Sequence, residues 1–551
     1  MRLRFALASA VTAAATLTPG VARGAGPYIE NDRIVFPEGA EVSRAMTDVE
    51  RLFLEQNPGY WQTGTTPPPE GPVVCPGEYG PMQGIILAWE GFTSVVTAMA
   101  VNITTIGQAN AYIMCDSQSE ANSVNSTLNS AGANMSRVFT YVVTTDTVWI
   151  RDYGPRYIYE GGCRAIVDHT YNRPRPNDNN QPAFWSSVTG HRRYEIPLIH
   201  GGGNYHLNSI TASWATQLIV NENPSLNASQ IQAYWNQYQG VNTTITSPFP
   251  TSVDSTQHID MWMQIIGDSQ VVISDWPLNV GSTQDNICDS VAASMAGLGF
   301  TVTRVPAYSV SGTHYTFTNV TMCNNLILLP SYTNSTVVNQ NANNVALAAW
   351  QAAAPGKTIV QVPCQSIVTS AGVMHCICMH VPANLGGTNP VAYLRQPRGG
   401  EVLDPGTQFE IRWISDDDVD VSNVDILLST DGGATFPTVI ASATADDGSF
   451  MWTVPNVYST TAIVKVVARD AQGNTGSDQS PSVFTLNAPP PSCPGDADGS
   501  NAVDFDDITA VIANWGQPAP VAYDGGDSDG DGDVDFDDIT ETLANWGASC
   551  P

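Results

Sequence analysis

The sequence predicts an α/β region followed by an all-β sandwich and a small helical module. From Gly84 to about Val381, apolar strand-like runs alternate with longer polar, Asn-rich connections and amphipathic stretches, the alternation of an α/β domain. Residues 391–487 switch to period-two strands separated by Gly/Asp turns, the texture of a β-sandwich. After Cys493 comes an internal repeat, GDADGSNAVDFDDITAVIANWG and then GDSDGDGDVDFDDITETLANWG, each ending in a short helical pattern. A chain of 551 residues, 42% apolar and 13% charged, has the length for several domains and the apolar content to bury their cores.

In chain order, Arg2 and Arg4, the apolar run Phe5 to Leu17 and the small residues Gly20, Ala22 and Gly24 read as an export signal over 1–24. No other stretch approaches the roughly 20 apolar residues that span a bilayer, so a secreted or surface-held protein without a membrane span is expected. The α/β region covers 25–390. A Pro/Gly break at 64–72 precedes its first clear strand, Gly84–Trp89; further strands are expected at Gln217–Val220, Val271–Ile273, Leu326–Leu329 and Thr358–Val362. The sandwich covers 391–488, with strands at Phe409–Trp413, Val424–Leu428 and Ile463–Val467 and a turn at Asp431-Gly432-Gly433. It looks like an immunoglobulin-like spacer. The proline-rich Asn487–Cys493 then links it stiffly to the module at 489–551.

The formal charge is −31, with 52 acids against 21 bases. A general nucleic-acid or anionic-membrane binder is excluded, because it would need a positive surface. Residues 401–551 alone hold 27 acids and 3 bases. Much of that acidity falls at fixed spacing in the repeat. Laid on a twelve-position calcium loop, the first copy offers Asp496, Asp498, Ser500, the Ala502 carbonyl, Asp504 and Asp507. The second offers Asp527, Asp529, Asp531, the Asp533 carbonyl, Asp535 and Asp538. Hard oxygens at positions 1, 3, 5, 7, 9 and 12 suit calcium, and Gly532 or Asn501 supplies the sharp turn. With one helix per loop and Asp at the last position, the repeats resemble dockerin type I repeats. That implies structural calcium and docking to a cohesin-like partner.

Ten cysteines in an exported chain permit disulfides. Cys493 and Cys550 bracket the tail and are the expected pair; connectivity among Cys75, Cys115, Cys163, Cys288, Cys323 and Cys364 stays open.

Chemistry concentrates in the strings WIRDYGP (149–155), YNRPRPND (171–178), HGGGNYH (200–206), QHIDMWMQIIGD (257–268), YTFTN (315–319) and GVMHC (372–376). They offer Asp152, a His258-x-Asp260 pair that an extended strand would put on one face, the amide of Asn319 and the thiol of Cys376. A histidine and carboxylates converging on a cysteine is the layout of an activated thiolate.

Together these strings resemble the bacterial peptidylarginine deiminase and agmatine deiminase family of the guanidino-group-modifying (pentein) superfamily, from GEYGPMQGIILAW (77–89) to MHCICMHVP (374–382). The resemblance implies a five-bladed α/β propeller needing no cofactor for catalysis. It implies that Cys376 attacks the guanidinium carbon, that Asp152 and Asp260 hold its nitrogens, and that His258 serves both half-reactions beside Asn319. Arg173 and Arg175 match the pair that receives a substrate carboxylate, which favours a peptide ending in arginine over agmatine. Agmatine deimination is the alternative within the fold, and an inactive calcium-tethered scaffold is the alternative outside it. Threonine usually follows the nucleophile by two residues; here Cys378 stands there, and in a strand it would share a face with Cys376.

Overall fold

The computed structural model describes residues 26–334, 336–487, 493–518 and 525–550. The expected export signal and most of the proline linker lie outside these residues. By its internal contacts the chain divides into two compact units, one ending at Ala383 and one running from Asn384 onward and including Gly161–Cys163.

Among the described residues, the first unit contains five mixed sheets of three or four strands, plus two small hairpins. Each of the five holds a parallel pair joined by a helix. The helices are Thr93–Thr105, Gln181–Thr189, Ala228–Gln239, Thr283–Gly297 and Gln340–Ala353. A parallel pair cannot be joined by a tight turn, so the polar connections noted in the sequence become crossover helices. Three of the helices begin at a side-chain cap on Asn227, Ser282 or Asn339, which explains part of the asparagine content.

Strand Met379–Pro382, at the end of the unit, pairs antiparallel with Met82–Ala88 near its beginning, Met379 opposite Ile86. The turn His375–Ile377 directly precedes that strand. The core packs Ile85, Ile86, Leu87, Trp149, Trp262, Trp276 and Trp350, all fully buried.

Two expected strands are absent. Residues 217–220 lie in and beside a helix, Leu218–Glu222, because the preceding strand Ala212–Thr216 already fills that sheet position. A four-residue apolar run carries no period that separates the two outcomes. The His258-x-Asp260 segment is a 3-10 turn over Ile259–Met261 with His258 at its N-cap, not an extended strand. Cys376 likewise sits in a 3-10 turn, so it shares no strand face with Cys378.

In the second unit, a three-stranded sheet holds Val391–Gln396, Gln408–Asp416 and Ser449–Thr453, and a larger sheet is built around Ser459–Asp470 and Val421–Ser429. Alternate residues Ile411 and Trp413 on one and Val424, Ile426 and Leu428 on the other form the buried layer, as period two requires. Gly432 and Gly433 both take positive φ in the expected turn.

The tail has helices Phe505–Asn514 and Phe536–Ala544 around a small core of Ala497, Val511 and Val534. Its two copies exchange matching bonds, Gly495 N–H to the Ser528 carbonyl and Gly526 N–H to the Ala497 carbonyl, both 2.8 Å. Cys493 and Cys550 are bonded. Among the described residues no helix is long and apolar enough to cross a membrane.

Candidate active site

Five chain segments meet at one buried cluster in the first unit. Asp152 lies on a single helical turn, Ile150–Tyr153; His258 and Asp260 on the turn Ile259–Met261; Asn319 on the loop after strand Thr313–Tyr315; Cys376 on the turn His375–Ile377. The fifth is the N-terminal segment before helix Asp48–Gln56, which supplies Arg44. All of these side chains are buried.

The structure brings Asp152, His258, Asp260, Asn319 and Cys376 around one guanidinium, that of Arg44. Asp152 accepts from Nε and Nη2, both at 2.8 Å, in a fork-to-fork pair. Asp260 accepts from Nη1 and Nη2, both at 3.1 Å. Nη1 donates to Cys376 Sγ at 2.6 Å, and Nη2 donates to His258 Nδ1 at 2.7 Å. Asn319 Nδ2 lies 3.1 Å from the same Sγ, and its Oδ1 accepts from the His375 N–H at 3.0 Å.

Two glycines make room for this group. A Cβ at Gly203 would collide with Arg44 Nη2 and come within 2.7 Å of Asp260 Oδ2 and 2.9 Å of Asp152 Oδ1. A Cβ at Gly372 would lie 2.6 Å from the Trp149 ring, 3.0 Å from Cys376 Sγ and 3.1 Å from Arg44 Cδ. The HGGGNYH and GVMHC strings therefore describe the walls of a slot shaped for a planar cation.

Behind the slot runs a buried chain of hydrogen bonds. Arg151 donates to Glu78 at 2.7 Å, Glu78 bonds His375 Nε2 at 2.9 Å, and His375 Nδ1 bonds Asp260 Oδ2 at 3.0 Å. Two guanidinium groups thereby face the buried carboxylates. Burial alone would raise Asp152, yet Arg44 and then His258 hold it well below the usual carboxylate range. Asp260 is lowered too, its burial outweighed by Arg44 and His375. Burial pushes the Cys376 thiol well above its ordinary value against the attraction of Arg44, with both carboxylates pushing the same way as burial. Cys376 Sγ and His258 Nδ1 thus each accept from the Arg44 guanidinium, through Nη1 and Nη2.

Arg173 and Arg175 are buried against the segment that carries Arg44. Arg173 Nε donates to the Arg44 carbonyl at 3.3 Å, and Arg175 Nη2 donates to the Ser43 carbonyl at 2.8 Å. Arg175 also holds a carboxylate, that of Glu50, through Nε at 2.7 Å and Nη2 at 3.3 Å. Cys378 points away from the slot, toward Arg151 Nη2 at 3.5 Å and Thr321 Oγ1 at 3.3 Å. Sequence reading missed Arg44 and Glu50, which lie in no motif. It also passed over Glu78 and His375, although both stand inside the quoted strings.

In the tail, Asp496, Asp498 and Asp507 each place one oxygen within 4.8 Å of the others, and so do Asp527, Asp529 and Asp538. Asp507 and Asp538 are buried, where each accepts three backbone N–H groups of its loop. Ser500 Oγ donates to the Ala502 carbonyl at 3.2 Å, Asp531 accepts from the Asp533 N–H at 3.2 Å, and Asp504 and Asp535 cap the helices. Asn501 takes φ 67° and Gly532 φ 97° at the sharp turn.

A family model described as Porphyromonas-type peptidyl-arginine deiminase matches residues 74–382, more than half of the chain. A second, described as a Kre9/KNH-like N-terminal Ig-like domain, matches residues 396–482. A Streptomyces avermitilis protein named "Putative agmatine deiminase" is 22% identical over 267 residues, 43% of this chain and 75% of that protein. The agmatine deiminase of Ectopseudomonas mendocina is 28% identical over 134 residues, 21% and 36% of the two chains. The solved agmatine deiminase of Enterococcus faecalis superposes with a TM-score of 0.50 at 18% identity, covering 58% of this chain and 99% of that one, which shows a shared fold. The chain belongs to the Porphyromonas-type peptidyl-arginine deiminase family, and its chemistry is hydrolysis of a C–N bond in a guanidino group.

Proposed function

We propose that the protein deiminates arginine within peptides, giving peptidyl-citrulline and ammonia. One observation carries this reading: the arginine in the slot belongs to a continuous chain whose backbone is also held. Trp149 Nε1 donates to the Val42 carbonyl at 2.8 Å, Arg175 to that of Ser43 and Arg173 to that of Arg44, while Arg44 N–H donates to the Ser370 carbonyl at 2.9 Å. Agmatine has no backbone to fill these positions. The five mixed sheets support reading the region as five blades of a propeller around the slot.

The reaction starts with transfer of a proton from the Cys376 thiol to His258, the two groups that touch Nη1 and Nη2 of the Arg44 guanidinium. With that proton moved to His258 Nδ1, the thiolate bonds to the guanidinium carbon and the adjacent imidazolium protonates the departing nitrogen, which leaves as ammonia. Two carboxylates pin the planar cation for attack and stabilise the thiouronium that follows. His258 then takes a proton from water; oxygen bonds to carbon, the C–S bond breaks, and citrulline leaves with the thiolate restored. Asn319, touching Sγ, positions the nucleophile and donates to its anionic form.

The test is ammonia and citrulline release by Arg44→Ala protein, which keeps the catalytic groups and opens the slot. It is offered a peptide with internal arginine, a peptide ending in arginine, free arginine and agmatine. Turnover of peptides over agmatine is expected. The names of the relatives favour a second reading, and agmatine turnover alone would establish it.

For the remainder of the chain we propose export, and two structural calcium ions in the tail. The converging carboxylates fit a hard cation, whose charge would offset their repulsion and fix the loops. Phe505, Ile512 and Trp515, repeated as Phe536, Leu543 and Trp546, are exposed and would suit docking to a cohesin-like partner. Calcium titration of the full chain, followed by heat signal and helicity, tests the metal; no response would remove it.

A further inference from the structure

The slot is filled by the chain's own arginine, and the family match begins at residue 74, after that arginine. Arg44 is therefore not one of the groups that define the family site. It stands where the site's substrate would stand. Its charge is matched by two buried carboxylates, its Nη1 touches the nucleophile, and its Nη2 touches the ring that would protonate a leaving nitrogen. The segment around it copies a peptide substrate in a second respect. Glu50, on the same segment, gives Arg175 the carboxylate that the arginine pair was expected to receive.

We propose that Arg44 is an intramolecular substrate: the enzyme converts its own Arg44 to citrulline, and until then the segment 42–50 closes the slot to other arginines. The inference rests on the peptidyl-arginine reading above. Cys376 Sγ bonds to Cζ of Arg44; the Cζ–Nη2 bond breaks and Nη2 leaves as ammonia with the proton carried by His258. Water then supplies oxygen to Cζ, the C–S bond breaks, and the balance is arginine and water in, citrulline and ammonium out. A ureido group is neutral. It keeps no ionic attraction to Asp152 or Asp260, so the segment is left with its backbone contacts and the Glu50–Arg175 pair.

The experiment uses the full chain. Wild-type protein and Cys376→Ala protein are incubated, digested with a protease that cuts after arginine, and the peptide spanning residue 44 is weighed. Wild type is expected to carry citrulline at residue 44, seen as uncut peptide with the small mass gain of an imino group exchanged for oxygen. Cys376→Ala protein should carry arginine there, cut in full. Conversion should proceed at the same rate after dilution, because substrate and site are on one chain. A rate that falls with dilution overturns the intramolecular step. Arginine persisting at residue 44 in wild type, while Arg44→Ala or Arg44→Lys protein turns over added arginine peptide, overturns the inference and leaves the enzyme reading standing. No turnover by any of these proteins overturns both.

Discussion

Gly203→Ala separates a site built around a guanidinium from one that merely contains an arginine. The backbone at Gly203 does not lie in the left-handed region, so alanine brings no backbone strain there. Its methyl would overlap Nη2 and press on Asp260 Oδ2 and Asp152 Oδ1 at 2.7 and 2.9 Å, inside contact distance. Either the carboxylates turn away or the cation withdraws, and one fork of two charge-assisted bonds is lost in both cases. At about 1.5–3 kcal/mol for each such bond, about 3–6 kcal/mol of cation binding disappears. That corresponds to a fall of about 10²–10⁴ in kcat/KM for arginine peptides. The assay is steady-state citrulline formation with Gly203→Ala placed on the Arg44→Ala background, so that every molecule starts with an open slot. Thermal melting checks that the fold survives. Unchanged kcat/KM in a folded protein would refute the claim that Asp152 and Asp260 hold the substrate cation.

Cys376→Ala should abolish turnover, whereas Cys378→Ser should retain it, since Cys378 touches Arg151 and Thr321 and not the guanidinium; the same citrulline assay reads both. Glu50→Gln should destabilise the Arg44-bearing protein by about 3–5 kcal/mol in urea unfolding, because it strips one partner from a fully buried ion pair. Asp48→Asn, which breaks an exposed pair with Arg51, should cost about 0.2–1 kcal/mol at most. Glu222 is pushed from 4.5 up to about 7 by burial, against the pull of Arg173 and Asn172. Its folded form binds the proton more tightly than the unfolded chain does, so this stability is complete below about pH 4.5 and is lost as pH rises toward 7. Glu222→Gln should remove a stability slope of at most about 1.36 kcal/mol per pH unit across that window, seen in urea melts.

The candidate catalytic strings were legible only together, through their joint resemblance to one family; taken singly, Asp152, His258 and Cys376 each fit a structural role as well. Local geometry at those strings was less legible. His258 and Asp260 point to one place through a 3-10 turn, and alternation cannot be told from that turn over three residues. The helix at Leu218–Glu222 shows the same limit, since a short apolar run is compatible with either period. Arg44 had no signal at all. What makes it important is that it crosses from position 44 to meet residues 152, 260 and 376, and a long-range contact of one side chain leaves no pattern in its neighbours.

A slot that recognises arginine by charge and planarity cannot distinguish the arginine of a substrate from one tethered nearby. Tethering decides the competition. A group on a short linker meets its site at an effective concentration on the order of millimolar, while enzymes commonly have KM values between about 1 μM and 1 mM. A peptide from solution therefore starts at a disadvantage against Arg44, which is also held through the carbonyls of Val42 and Ser43. Mutating the pocket to weaken Arg44 would weaken the substrate equally, because both use Asp152 and Asp260. The chemistry of the site offers a way out that recognition does not. Hydrolysis removes the charge from the tethered competitor once, and each later arginine then meets two carboxylates whose bound cation has gone.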